Sequence, residues 1–281
     1  MKKLVALFAA VILTLSTFAA CGGSSKLTAK VIDIELTSED YAFGVDKTQP
    51  ELLTSVNAFI AKIMEDGTFE EICNKYFGDG TPTPVTSATE DPGKNQLVVA
   101  TNAEFAPFEY MEGAYYYGID MEIAAKLAEY LGKELVIVNM DFDSVCLAVG
   151  QQKCDIAMAG LTVSEDRLEY VTFSTPYYKA SQKIIVKSDC TEFDACKTAA
   201  DVEAILNAKE ENTKIGVQNG TTGQLYVEGY ADWDFAGFPV KCIAYKNGSL
   251  AVQDMLNGNV DYVIIDSDPA KRITDAINEM Q

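Results

Sequence analysis

Apolar and polar positions along the chain divide it into two kinds of text. Residues 30–36 (KVIDIEL) alternate apolar and polar, which predicts a strand, and 41–45 predict a second short one. Pro50 then opens a helix at the position where a missing N–H costs least. Leu52, Leu53, Val56, Phe59, Ile60 and Ile63 give that helix one apolar face, and Gly67 stops it. A further helix is expected over 69–76. The stretch 78–95 (GDGTPTPVTSATEDPGKN) carries three prolines and three glycines and no period, so it reads as a linker. From residue 96 the grammar becomes strand, loop, helix, repeated. Strands are predicted at 97–100, 135–138, 155–159, 214–217, 240–244 and 262–265, and helices at 120–131, 143–151 and 249–256. Alternating strands and helices predict an α/β fold with a mainly parallel sheet covered on both faces. In such sheets ligands sit beyond the carboxyl ends of strands, so chemistry is expected in the loops after Ala100, 157–159, Val217 and Ile265.

The first residues have a different purpose. Lys2 and Lys3 precede an apolar run over 4–15 and the small residues before Cys21. A basic start, a short apolar core and small residues describe a secretory signal. The run falls short of the ~20 apolar residues that a bilayer span needs. Ala19-Ala20-Cys21, followed by Gly22-Gly23-Ser24-Ser25, resembles a bacterial lipobox. It implies cleavage before Cys21, lipidation of its thiol and a flexible tether over 21–29; an ordinary signal with an incidental cysteine is the plainer alternative. The remaining chain has the size of one large α/β domain or two smaller ones.

Charge and cysteines narrow the function classes. The chain has 42 acidic and 22 basic residues, a net charge of −20. Such a polyanion is repelled by nucleic acid and by anionic lipid headgroups, so any membrane attachment would be through the lipid alone. There is no histidine and no CxxC among the seven cysteines, which argues against a zinc site and against a Ser-His or Cys-His nucleophile; no cofactor is expected. Cys190 and Cys196 are either a local disulfide or free or buried thiols.

Six motifs then fall in a familiar order. They are 100–110 (ATNAEFAPFEY), 118–123 (GIDMEI), 159–167 (AGLTVSEDR), 173–178 (FSTPYY), 220–223 (GTTG) and 261–266 (DYVIID). This series resembles the extracellular amino-acid-binding proteins of polar amino acid ABC transporters. The resemblance implies a two-lobed periplasmic-binding-protein type II fold, each lobe a mainly parallel sheet flanked by helices. One feature departs from the pattern: the hinge strand, the P-E-L-L helix and the D-G-T-F…K-Y-F-G block that close the family's chains stand first here, over 41–78. The order implies a circular permutation, with 78–95 joining the old ends. The expected division is a signal peptide at 1–20, a tether at 21–29, lobe one at 42–185 including the linker, and lobe two at 26–41 plus 186–281. Hinge crossovers would lie near 41–45 and 183–187.

The resemblance also implies a site for a free amino acid. Arg167 would take the carboxylate, since a guanidinium offers two parallel donors. Thr162 and the backbone of Thr221 and Thr222 at a helix start would complete that cage. Asp266 would take the ammonium, with the Gly160 carbonyl and Thr162 assisting; the simpler role for Asp266 is a helix N-cap. Asn102, Phe105, Phe142, Met158 and Gln218 would select the side chain, the two phenylalanines as apolar walls. An amide at Asn102 cannot neutralise a cationic side chain, although Glu104 is nearby, so a polar, neutral amino acid is favoured.

The implied mechanism is lobe closure followed by docking on an ABC permease, with the chain a lipid-anchored, extracytoplasmic monomer and not an enzyme. The alternatives are a dehydratase acting on a cyclohexadienyl amino acid, which would need a placed general acid, and a ligand-sensing co-receptor.

Overall fold

The computed structural model describes residues 28–280. The expected signal peptide, Cys21 and most of the expected tether lie outside them. In chain order the elements begin with β1 (Ala29–Val31), β2 (Glu39–Tyr41), β3 (Gly44–Asp46), α1 (Pro50–Glu65) and α2 (Thr68–Phe77). After the linker come β4 (Gln96–Thr101), β5 (Glu104–Phe105), β6 (Glu109–Glu112), β7 (Tyr115–Tyr117), α3 (Ile119–Tyr130), β8 (Glu134–Asn139) and α4 (Phe142–Gly150). Then follow β9 (Ile156–Ala157), α5 (Glu165–Leu168), β10 (Val171–Phe173), β11 (Tyr178–Ala180) and β12 (Gln182–Lys187). The last part holds α6 (Ala199–Asn207), β13 (Lys214–Gln218), α7 (Thr222–Glu228), β14 (Lys241–Tyr245), α8 (Gly248–Leu256), β15 (Tyr262–Asp266) and α9 (Ser267–Met280). Among these elements no helix is long and apolar enough to cross a membrane.

Two five-stranded sheets organise the molecule, in the orders β10-β3-β9-β4-β8 and β1-β12-β15-β13-β14. The expected parallel pairing holds for half of each. β4 runs parallel to β8 and β9, and β13 parallel to β14 and β15. The other half is antiparallel: β3 against β9 and β10, β12 against β15 and β1. The antiparallel strands lie in or beside the stretches that pass between the sheets, so they do not enter through a βα unit.

The sequence boundaries shift at those passages. Residues 30–36 do not form one strand: only Ala29–Val31 pairs regularly, while the Ile32 and Leu36 amides still donate to the Ile184 and Gln182 carbonyls at 2.9 Å. Residues 41–45 are split between β2, which pairs with β11, and β3, which enters the first sheet. The predicted strand at 155–159 is reduced to Ile156–Ala157, after which the chain turns into a loop.

α1 buries Val56, Phe59, Ile60 and Ile63, the stripe its sequence shows, and α2 adds Ile72 and Tyr76. Both pack into the large core with Leu97, Val99, Ile119 and Leu127. A second core fills the far side of the other sheet around Phe193, Leu206, Ile215, Val217 and Ile264. The linker is loop, but it is tied down. Val85 makes a bridge with Tyr116, the Ala88 amide donates to the Leu135 carbonyl at 2.9 Å, and the Ile137 amide donates to Ser87 Oγ at 2.8 Å. At the other side of the molecule Asn278 of α9 bonds both backbone groups of Ala29, each at 2.9 Å. Cys73, Cys146, Cys154, Cys190, Cys196 and Cys242 are all free thiols, so of the two readings of Cys190 and Cys196 the structure has the unpaired one.

Candidate functional site

The carboxyl ends of β4, β9, β13 and β15 converge, and most of the residues singled out from the sequence meet there, buried. Asn102, Phe105, Thr162, Arg167, Gln218, Thr221, Thr222 and Asp266 are each 6 % exposed or less, as is Met158, and Gly160 is buried. Phe142 stands at the margin.

The loop after β9 is held from below. Gly160 adopts φ +52°, and a Cβ there would lie 3.1 Å from Phe105 Cε1, so only glycine lets Phe105 cover it. Its amide donates to Asp120 Oδ2 at 2.9 Å, and Tyr177 donates to Asp120 Oδ1 at 2.6 Å. Asp120 sits in the first turn of α3. That helix starts from Gly118, whose missing Cβ would stand 2.1 Å from the Phe108 carbonyl oxygen. Burial pushes the Asp120 carboxyl up to about 7, against the two hydrogen bonds that favour its anion.

Arg167 follows in the short helix α5. Its Nη1 donates to the Thr162 carbonyl at 2.7 Å, and its Nη2 donates across to the Gly220 carbonyl at 3.1 Å. The guanidinium carbon lies 5.2 Å from the centre of the Phe142 ring, so Phe142 packs against the arginine. Beside them opens a cavity of 280 Å³ that Leu161 and Cys146 also line. Both of these bonds go to neutral carbonyls. Among the described residues no carboxylate stands at ion-pair distance from this buried cation. A guanidinium has five N–H donors, so donors remain for an anion.

Asp266 ends β15, and its Oδ1 accepts from the Tyr41 hydroxyl at 2.5 Å. Burial, then the charge of Glu39, raises its carboxyl to about 7. Tyr41 is itself pushed well above the usual phenol value by burial and by these two carboxylates. Glu39 accepts from Thr162 Oγ1 at 2.6 Å, from Thr37 Oγ1 at 2.5 Å and from Gln182 Nε2 at 3.0 Å. Sequence reasoning missed Glu39, Tyr41 and Gln182. The one local signal is the period of two across β2, which turns 39 and 41 to the same side.

Some of the remaining contacts bridge the two sheets. Gln218 Nε2 donates to Asn102 Oδ1 at 3.0 Å, while Asn102 Nδ2 donates to the Met140 carbonyl at 2.8 Å. Thr221 Oγ1 turns to the Gln218 carbonyl at 2.8 Å at the start of α7. Glu104 does not join the interior: it is at the rim, accepting from Asn247 Nδ2 at 2.7 Å and facing Lys246 at 4.0 Å. Asn219 donates to Asp143 at 2.7 Å and Tyr230 to Asp166 at 3.0 Å along the same rim.

The model of the bacterial extracellular solute-binding proteins, family 3, matches residues 97–279. The chain belongs to this family. Among its curated members an arginine-binding extracellular protein of Bacillus subtilis is 36 % identical over 104 residues, covering 37 % of this chain and 41 % of that protein. An ABC transporter arginine-binding protein of Escherichia coli is 30 % identical over 168 residues, covering 59 % and 61 %. The chain thus spans 41 % and 61 % of the lengths of these two relatives. A cyclohexadienyl dehydratase of Pseudomonas aeruginosa is also similar, 31 % identical over 137 residues, covering 47 % of this chain and 50 % of the enzyme. Among solved structures, an ancestral amino-acid-binding protein described as a precursor of cyclohexadienyl dehydratase superposes with a TM-score of 0.54 at 31 % identity, over 65 % of this chain and 74 % of that one. The fold of the family is the α/β, type II periplasmic-binding fold, and the two sheets described above are its two lobes. Residues 28–96, with β1–β3, α1 and α2, precede the matched segment.

Proposed function

We propose that this protein captures a free, polar amino acid outside the cytoplasm and delivers it to an ABC importer. One observation carries the reading. Among the described residues the buried cation Arg167 has no anion at ion-pair distance, and the buried acid Asp266 no cation. Isolated buried charge is costly, and a zwitterion relieves both ends at once. The ligand carboxylate goes to Arg167 and Thr162, with Thr221 and Thr222 closing from the other lobe. The ammonium goes to Asp266, with Gly160 and Thr162 alongside. Phe105 and Met158 wall the stem, and Asn102 and Gln218 select the side chain. The similar arginine-binding proteins support the amino-acid class. Here the amide pair and the outward-facing Glu104 favour a neutral polar side chain. Ligand shifts the protein toward the closed form by its differential affinity for the two states, and the closed form is what the permease receives.

The protein acts as a monomer, attached to the membrane through a lipid on Cys21. Lobe one comprises 42–185 and lobe two 26–41 with 186–281, as a circular permutation in which 78–95 joins the family's usual ends. The bonds between Ala29 and Asn278 support this, because they bring the two ends of the described chain together.

The test is a thermal-shift screen of the chain without residues 1–20 against the twenty standard amino acids. A ligand at a hundred times its Kd adds about 2.7 kcal/mol. A shift with a few of them supports the reading, and none from folded protein ends it. Asp266, raised to about 7, also suits a general acid, which favours the dehydratase as the second reading. Appearance of an aromatic product from a cyclohexadienyl amino acid would decide for the enzyme.

A further inference from the structure

β2 carries a second acid into the cleft. Glu39 and Tyr41 are two residues apart on one strand, and β2 pairs with β11 so that Glu39 stands opposite Ala180. Gln182, just beyond β11, lies directly opposite Asp266 in the β12–β15 register. A continuous set of contacts results: Thr162 to Glu39, Glu39 to Gln182, Gln182 beside Asp266, and Asp266 to Tyr41. Glu39 is 5 % exposed and Asp266 4 %. Among the described residues every hydrogen-bond partner of Glu39 is a hydroxyl or an amide, and no lysine or arginine stands at ion-pair distance from either acid. Gln182 Oε1 is also buried without a hydrogen-bond partner. It stands 3.0 Å from where a Cβ of Gly223 would be, at the start of α7. Two neighbouring carboxyl groups and an open neutral acceptor form the kind of surroundings that three N–H donors on one positive centre would satisfy.

We infer that Glu39 is a ligand-binding residue, which with Asp266 forms a two-carboxylate clamp on the α-ammonium group of the amino acid, with Gln182 Oε1 as third acceptor. The inference rests on the free-amino-acid reading of the site. It gives the crossover strand a direct part in recognition, since Glu39 comes from β2 and not from either set of ligand loops. It also gives a reason for rejecting 2-hydroxy acids: a neutral hydroxyl in place of the ammonium leaves two neighbouring acids without a counter-charge.

Calorimetric titration tests it. Wild type, Glu39→Gln and Glu39→Asp are titrated with each of the twenty standard amino acids and, for any that binds, with the same molecule carrying a hydroxyl in place of the ammonium. The expected result is a loss of about tenfold or more for the amino acid in Glu39→Gln, a smaller loss in Glu39→Asp, and no loss for the hydroxy analogue. Circular dichroism and melting confirm folding of each variant; should Glu39→Gln not fold, a selective loss for the amino acid in Glu39→Asp carries the comparison. Unchanged amino-acid affinity, or equal losses for amino acid and hydroxy analogue, would overturn the clamp and leave Glu39 as a support for Thr162. Wild type that binds none of the twenty would instead remove the underlying reading, and the clamp with it.

Discussion

Gln218 and Asn102 join the two lobes directly: the amide nitrogen of one donates to the amide oxygen of the other at 3.0 Å, with both side chains buried. The other oxygen, Gln218 Oε1, is buried without a partner. In the proposed function this pair meets the end of the ligand side chain, and its neutrality would set the preference. Replacing Asn102 by Asp adds an anion there while keeping an acceptor for Gln218. We expect the preference for arginine over glutamine to rise about tenfold or more. Competition binding with the two amino acids measures it, and an unchanged ratio would remove Asn102 from side-chain selection.

Arg167→Ala removes the proposed carboxylate partner. The expected outcome is loss of the ligand-induced thermal shift at concentrations that stabilise wild type by about 2.7 kcal/mol. Arg167→Lys keeps charge but not the paired donors, so part of the shift should return. If the alanine variant kept the full shift, the anion site would lie elsewhere.

Asp120 gives a pH dependence with a definite sign. Its carboxyl is raised to about 7 in the fold, from 3.8 when unperturbed. Between these values the folded protein holds a proton that the unfolded chain has released. Its contribution is therefore complete below about pH 4 and is lost as pH rises through about 7. Asp266 adds to the same slope in the ligand-free protein. Urea unfolding across this range should show stability falling with pH, and Asp120→Asn should flatten the fall. A parallel slope in the variant would mean that Asp120 ionises normally.

The proposed circular permutation predicts that the chain can be cut elsewhere. A short joint from residue 281 to residue 28, with new ends opened inside 79–95, should give a protein with the same ligand and a similar fold. Circular dichroism and the thermal-shift screen compare the two. A joined protein that fails to fold would show that the tied linker is required as a continuous strap.

Much of this was legible in sequence, for physical reasons that differ by element. α1 announces itself by Pro50 and a stripe of Val56, Phe59, Ile60 and Ile63, and the structure starts it at Pro50 and ends it at Glu65. β13 and β15 are buried on both faces, so their apolar runs stand out. Arg167, Asp266 and Asn102 follow from motif position, and the fold brings them to one cleft. The crossovers near 41–45 and 183–187 followed from the resemblance and not from the apolar pattern. Residues 41–45 look like one strand because alternation does not report which sheet each half joins. Glu39 lies in the polar run TSED, where nothing local separates a buried acid from a solvated one. Its environment is made by Thr162 and Gln182, more than a hundred positions away.

β8 is an outer strand of its sheet, and such a strand presents free amide and carbonyl groups to any other extended chain. The segment 85–88 already occupies those of Leu135 and Ile137. Whatever ancestry put it there, the linker guards this side of the protein against edge-to-edge aggregation, and shortening it would expose a ready template for intermolecular β-pairing.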